Sequence, residues 1–144
     1  MKLTGITDEA GSDIHTQIRA VQALGWNALE LRNASVAGRA AGSVHEIPAD
    51  QFDQVAAALD ASGIGVAAIG STVANWARSI DEPFAITLDQ LSRLIPRARR
   101  LGTRFIRIMS YAVRKNPDGS DAADQLPAER IRRLREIVSR IGEA

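Results

Sequence analysis

The sequence predicts an α/β fold, with four β-α units in series and parallel strands. Three observations carry this. Four helical patterns each close on a glycine, at Gly25, Gly63, Gly102 and Gly142, in steps of 38, 39 and 40 residues. A short apolar run follows three of these glycines within a few residues, and another run precedes the first helical pattern. Short runs alternating with helical periodicity read as strands joined by crossover helices, the connection that parallel strands require. Glycine just past a helix supplies the positive φ with which the chain turns away.

The elements follow in order. The first run is residues 3–7 (LTGIT). Helix one starts after Asp13, a good N-cap, and its apolar stripe is Ile14, Ile18, Val21 and Leu24. In the second run, residues 28–32, Glu30 and Arg32 alternate with Leu29 and Leu31. Alternation puts the two charged residues on one side and the leucines on the other. Helix two opens at Pro48-Ala49-Asp50, with Phe52, Val55, Ala56 and Leu59 as its stripe. The third run is residues 65–71, and helix three covers residues 83–101. Its expected face is Phe84, Leu88, Leu91, Ile95 and Ala98, and Pro96 inside it predicts a kink. The fourth run is residues 105–110. Helix four opens at Pro127, a residue suited to the first turn. Ile131, Leu134, Val138 and Ile141 are its expected buried stripe, with Arg130, Arg132, Arg133, Arg135 and Arg140 mostly off it.

Four such units in 144 residues make half of a (β/α)8 barrel, which takes roughly 250 residues or more. Residues 1–144 are therefore expected to form a single (β/α)4 half-barrel domain that stops before a fifth strand. A four-stranded doubly wound sheet competes. It lacks a phosphate loop, because Gly63, Gly65 and Gly70 do not follow the G-x-G-x-x-G spacing. A half barrel leaves one sheet face open. Ile69 and Met109, or their strand neighbours, are then expected to be exposed, which predicts a dimer or an aggregation-prone monomer.

Composition narrows the class. At 45% hydrophobic and 24% charged residues the chain is not intrinsically disordered. With no cysteine it is not a disulfide scaffold. No apolar run approaches the roughly 18 residues of a membrane span, and no secretory pattern opens the chain, so a soluble cytoplasmic protein is expected. Charge is uneven. Residues 1–72 hold 4 basic and 8 acidic groups, net −4, and residues 73–144 hold 14 and 9, net +5. A basic half is one signature of nucleic-acid binding, but arginine-rich outer helix faces explain it more simply.

Chemistry in such barrels gathers at the C-terminal ends of the strands. Those positions hold Asp8 and Glu9, then Glu30 and Arg32, then Ser71, then Arg107 and Ser110. Singly, each has a structural reading: Asp8 and Glu9 as caps of helix one, Glu30 and Arg107 as a buried ion pair. Together they form a polar rim suited to a small, hydroxyl-rich ligand. Trp76 is either an apolar wall for it or a loop anchor. His15 and His45 have no second ligand at helical or strand spacing, and the chain contains no H-E-x-x-H and no G-x-S-x-G.

The segments Ile6-Thr7-Asp8-Glu9, Glu30-Leu31-Arg32, Ala68-Ile69-Gly70-Ser71 and Ile106-Arg107-Ile108-Met109-Ser110, in this order, resemble the N-terminal half of the sugar phosphate isomerase/epimerase family, the xylose-isomerase-like TIM barrels. The resemblance covers essentially the whole chain. It implies metal-dependent isomerisation or epimerisation of sugars and related polyols, with a divalent metal (Mn, Co, Mg or Zn) on Glu, Asp, His and Glu of later strands. The first of those ligands falls in the strand that would follow Gly142, so no metal ligand carries over, and this half alone is expected to be inactive. The substrate-side rim carries over: Glu30, Arg32, Ser71, Arg107 and Ser110, with Asp8 and Glu9. Where relatives have Pro-x-Gly-Lys after Gly-Ser, this chain has Thr72-Val73-Ala74-Asn75. A lysine that would carry charge toward a phosphate is missing there.

Two other readings stand beside this one. A half barrel has two open strand edges, so the chain could be a non-enzymatic module whose two copies pair head to tail into a closed ring. The same superfamily also includes abasic-site endonucleases, for which the arginine-rich second half is the local support. The expected partners are thus a small sugar or polyol and either a second copy or the missing C-terminal half, with no membrane.

Overall fold

The computed structural model describes residues 3–143, which fall into two compact units. One comprises residues up to Ser71 together with Pro96–Arg107, the other Thr72–Ile95 with the residues from Ile108 on.

In the first unit the Asp13 carboxylate accepts the Thr16 N–H at 3.1 Å and so opens α1 (Ile14–Ala23). Ile14, Ile18 and Val21 are buried as the stripe requires, whereas Leu24, which caps the helix end, is exposed. Gln17 is buried between Ile14 and Ile18 because all its polar atoms are used. It accepts from the Thr7 hydroxyl at 2.6 Å and donates to the Ser12 and Asn33 carbonyls.

The chain then forms β1 (Ala28–Leu31) and a small antiparallel pair, β2 (Asn33–Ala34) with β3 (Gly42–Ser43). The helix α2 (Ala49–Ser62) follows, with Phe52, Val55, Ala56 and Leu59 buried. Then come β4 (Gly65–Gly70) and, after α3 (Phe84–Arg100), β5 (Ile106–Arg107). The sheet is parallel, in the order β1-β4-β5, and Ile6 bridges Glu30 on the far side of β1. The four predicted strand positions therefore lie side by side in chain order.

Two of them are shorter than expected. The first shrinks to the Ile6 bridge, because Thr7–Ala10 turns into a 3-10 helix. The fourth stops at Arg107, because Met109 and Tyr111 donate their N–H groups to the carbonyls of Val73 and Ala74 instead. Register places Leu31 beside Ile69 and Ile69 beside Ile106, while Glu30 pairs with Ala68 and Gly70 with Arg107. Leu29, Leu31 and Ile69 are fully buried. The expected exposure of Ile69 is thus corrected: the other face of the sheet carries small and polar residues, Ala68, Gly70, Glu30 and Arg107.

The segment after Pro96 packs on this unit through arginine. The Arg97 guanidinium lies 4.7 Å from the Phe52 ring centre and donates to the Val44 carbonyl at 2.9 Å. Pro96 is accommodated inside an unbroken α3. Gly25, Gly63 and Gly102 take positive φ as expected, but Gly142 is the last residue of its helix and does not.

In the second unit the buried residues of α3 are Thr87, Gln90, Leu91 and Leu94; Phe84, Leu88 and Ile95 are only half-buried, so its face differs from the predicted one. The helix α4 (Pro127–Gly142) opens on Pro127, but its buried positions are Arg133 and Ile137. Ile131 and Val138 are 51% and 59% exposed, which corrects the predicted stripe. Burial of an arginine is affordable here because its partners are complete. Arg133 donates to Glu129 at 2.6 Å and to the Glu82 carbonyl at 2.9 Å, and its guanidinium lies over the rings of Phe84 and Tyr111.

Ile137→Ala should therefore lower stability by about 2–5 kcal/mol, while Val138→Ala should stay within about 0.5 kcal/mol, as measured by urea unfolding. Reversed magnitudes would restore the predicted stripe. Acid unfolding tests the ion pairs. Hydrogen bonds from Arg132 and then Arg133 hold the Glu129 carboxyl down at about 2. A lowered folded pKa gives stability that is present above the unfolded value, about 4.3, and lost as pH falls through about 2. Glu129→Gln should flatten the fall in melting temperature over that window.

Candidate functional site

The site is built on the small and polar face of the β1-β4-β5 sheet. Glu30 stands near the end of β1 and Arg107 ends β5, with Gly70 of β4 between them. Arg107 Nε donates to Glu30 Oε1 at 3.3 Å. The sequence leaves this pair either a buried structural one or part of an open rim. It is not buried: the Arg107 and Glu30 side chains are 40% and 21% exposed, so solvent and a ligand can reach them. Gly70 is what lets them meet. A Cβ there would lie 2.8 Å from Arg107 Nη2, 3.1 Å from Glu30 Oε1 and 3.2 Å from Arg32 Cβ.

Arg32 leads to a second cluster. Its Nε donates to both oxygens of Asp8, at 3.1 and 2.9 Å, and its Nη2 to Glu9 at 2.9 Å. Asn33 Nδ2 reaches Asp8 at 2.7 Å. The Asp8 bond is the main reason the Arg32 guanidinium is held above its ordinary range. Asp8 and Glu9 therefore fix Arg32, and the capping of α1 falls to Asp13 instead. Ser71 is buried and its hydroxyl donates to the Arg107 carbonyl at 2.7 Å, which ties the end of β4 to β5.

Asp8, Glu9, Glu30, Arg32, Ser71 and Arg107 all belong to the first unit. The other two expected rim residues belong to the second. Ser110 is exposed and its carbonyl accepts from Arg130, while Trp76 is 75% exposed. Sequence reasoning missed Asn33 and Gly70. A polar residue directly after Arg32 was the only signal for the first. The second was read against a phosphate-loop spacing and as part of the Ala68-Ile69-Gly70-Ser71 motif, not as a site residue, although a strand-end glycine signals close approach.

The histidines stand apart. His15 is exposed. His45 is fully buried, with Nδ1 2.9 Å from the Ser43 hydroxyl and Nε2 3.5 Å from Glu46. Among the described residues no three His, Cys, Asp or Glu side chains come together as a metal site. The rim carboxylates are turned to arginine and asparagine, so the residues present do not fit a catalytic metal. No helix among these residues is long and apolar enough to cross a membrane.

No protein-family profile matches the chain, and no curated protein resembles it in sequence. Solved structures do share its fold. A xylose isomerase-like TIM barrel protein from Mycobacterium smegmatis, in complex with magnesium, superposes with a TM-score of 0.65 at 16% identity. A putative sugar phosphate isomerase/epimerase from Anabaena variabilis superposes at 0.59 and 13% identity. Both matches cover 99% of this chain, and 51% and 50% of theirs. The chain spans about half the length of these barrels and has the fold of half of one.

Gly70→Ala should turn the Arg107 guanidinium away from Glu30. A double-mutant cycle over Glu30→Gln and Arg107→Met checks this. The coupling should be about 0.2–1 kcal/mol with glycine at 70 and near zero with alanine. Equal couplings would mean that the strand shifts and the pair survives.

Proposed function

We propose that this chain is the N-terminal, substrate-side half of a cytoplasmic (β/α)8 barrel that isomerises or epimerises a small sugar or polyol, that it forms a single (β/α)4 domain, and that it is inactive alone. One observation carries the reading: Glu30, Arg32 and Arg107 converge around Gly70 at the C-terminal ends of parallel strands, where barrel enzymes hold their substrates.

Glu30 and Arg107 bond each other through one oxygen and one nitrogen. The second Glu30 oxygen and the terminal Arg107 nitrogens are left to accept from and donate to vicinal hydroxyls. Asp8 and Glu9 hold Arg32 in place. Three carboxylates face two guanidiniums in this cluster, and the turn after Ser71 has no lysine. This balance favours an uncharged polyol over a phosphorylated one. The divalent metal of the proposed reaction finds no ligand set among the described residues. What these residues supply is binding and orientation of the substrate.

Calorimetric titration with unphosphorylated sugars and polyols tests the proposal. One of them should bind with 1:1 stoichiometry, and Glu30→Gln or Arg107→Met should weaken binding about tenfold, the loss of one charge-assisted hydrogen bond. The chain alone should show no isomerase activity. Stoichiometric binding of Mn²⁺, Co²⁺, Mg²⁺ or Zn²⁺ at micromolar affinity, or polyol binding indifferent to both substitutions, would count against it.

A further inference from the structure

Gln17 shares the buried face of α1 with Ile14, Ile18 and Val21. An apolar side chain would fill that place without the cost of desolvating an amide. What the amide adds is three bonds to three segments of the chain. It accepts from the hydroxyl of Thr7, the first residue of the 3-10 turn, at 2.6 Å. It donates to the Ser12 carbonyl, just before α1, at 3.1 Å, and to the Asn33 carbonyl, at the start of β2, at 2.9 Å. The chemistry forces the orientation of the amide. Both carbonyls can only accept, so the NH2 group faces them and the oxygen is left for Thr7. Two of these segments carry the acidic end of the candidate site. Asp8 follows Thr7, and Asn33 follows Arg32. Asn33 Nδ2 bonds Asp8 at 2.7 Å, and Arg32 Nε bonds it at 2.9 Å. Gln17 therefore closes a ring. It holds the backbone of Asn33 and the neighbour of Asp8, whose side chains meet each other. The Asp8 side chain is only 5% exposed, so the protein and not water sets its place.

We propose that Gln17 is a positioning residue for Arg32, an inference that rests on the polyol reading of the rim above. Acting through Thr7 and Asn33, it fixes Asp8 where Arg32 Nε meets it, and so sets the direction of the Arg32 guanidinium at the end of β1. The physical need is clear from the exposure of Arg32, whose side chain is 34% open to solvent. An ion pair with a half-exposed arginine gains little by itself, because two free side chains lose entropy in holding one geometry. A carboxylate fixed in advance removes that loss on one side. Asp8 and Glu9 both belong to the turn that Gln17 ties down, so both anchors of Arg32 are placed together. A guanidinium held this way presents its remaining N–H groups to a hydroxyl-rich ligand at a lower ordering cost.

Nitrogen-15 NMR of the full chain tests this through the Arg32 Nε–H, identified by its loss in Arg32→Lys. Its exchange with solvent should be slow in the parent and about tenfold faster in Gln17→Met, which keeps the length of the side chain and loses all three bonds. Thr7→Val removes one hydroxyl, keeps the shape and should speed exchange in the same direction, so the test stands even where Gln17→Met does not fold. Val21→Ala is the control. It loosens the same buried face of α1 and touches none of these bonds. It should lower the melting temperature and leave Arg32 exchange unchanged. A Gln17 that only stabilises the fold would make its variant behave like Val21→Ala. Calorimetric titration with the polyol that the parent binds should show affinity about threefold weaker in Gln17→Met or Thr7→Val. Arg32 exchange that stays slow in the folded variants, or polyol affinity that they leave unchanged, overturns the inference. A parent that binds no polyol, with the Arg32 Nε–H released in the variants, sinks only the ligand reading.

Discussion

Backbone pairing of β4 with both of its neighbours is the constraint from which the rest of the first unit follows. Parallel register sets Leu31 and Ile106 on the two sides of Ile69, and puts Gly70 beside Arg107. Side chains alternate across a strand, so one decision about register settles both faces. One face becomes the core with Leu29, Leu31 and Ile69, and the other brings Glu30 and Arg107 together over a glycine. A slip of one residue would bury the ion pair and expose the leucines. The Ser71 hydroxyl, bonded to the Arg107 carbonyl, fixes the register where the site begins.

The second unit is organised by arginine where a small domain more often uses leucine. Arg130 donates to the carbonyls of Ser110, Ala112 and Gln125. Arg133 fills the space over Phe84 and Tyr111 and reaches the Glu82 carbonyl. A guanidinium is flat, carries five donors and accepts a ring on its face, so it can bond irregular backbone and pack at once. That suits this unit, whose loops hold Ala74 and Tyr111 at positive φ, joined by a 2.6 Å backbone bond. Arg133 also sets the rotation of α4: with it inside, Ile131 and Val138 must point away.

Local chemistry was legible in the sequence. The Asp13 cap, the opening of α4 at Pro127, the positive φ of Gly25, Gly63 and Gly102, and the alternation of Glu30 and Arg32 with leucines each depend on a few adjacent residues. The half-barrel architecture was legible too, because a repeat of about 40 residues leaves few ways to arrange the strands. The site was legible as a set of charges at strand ends, but not its partners. Asn33 on Asp8, and Gly70 beneath Arg107, depend on residues brought together from distant parts of the chain. Tertiary structure alone decided the length of the edge strands, which depends on where Met109 and Tyr111 found carbonyls. It alone decided which face of α4 is buried. Helical periodicity fixes the angles between side chains and not the direction of the core. Between a stripe of Ile131, Leu134 and Val138 and one of Arg133 and Ile137, the choice fell to the partners that Arg133 could reach.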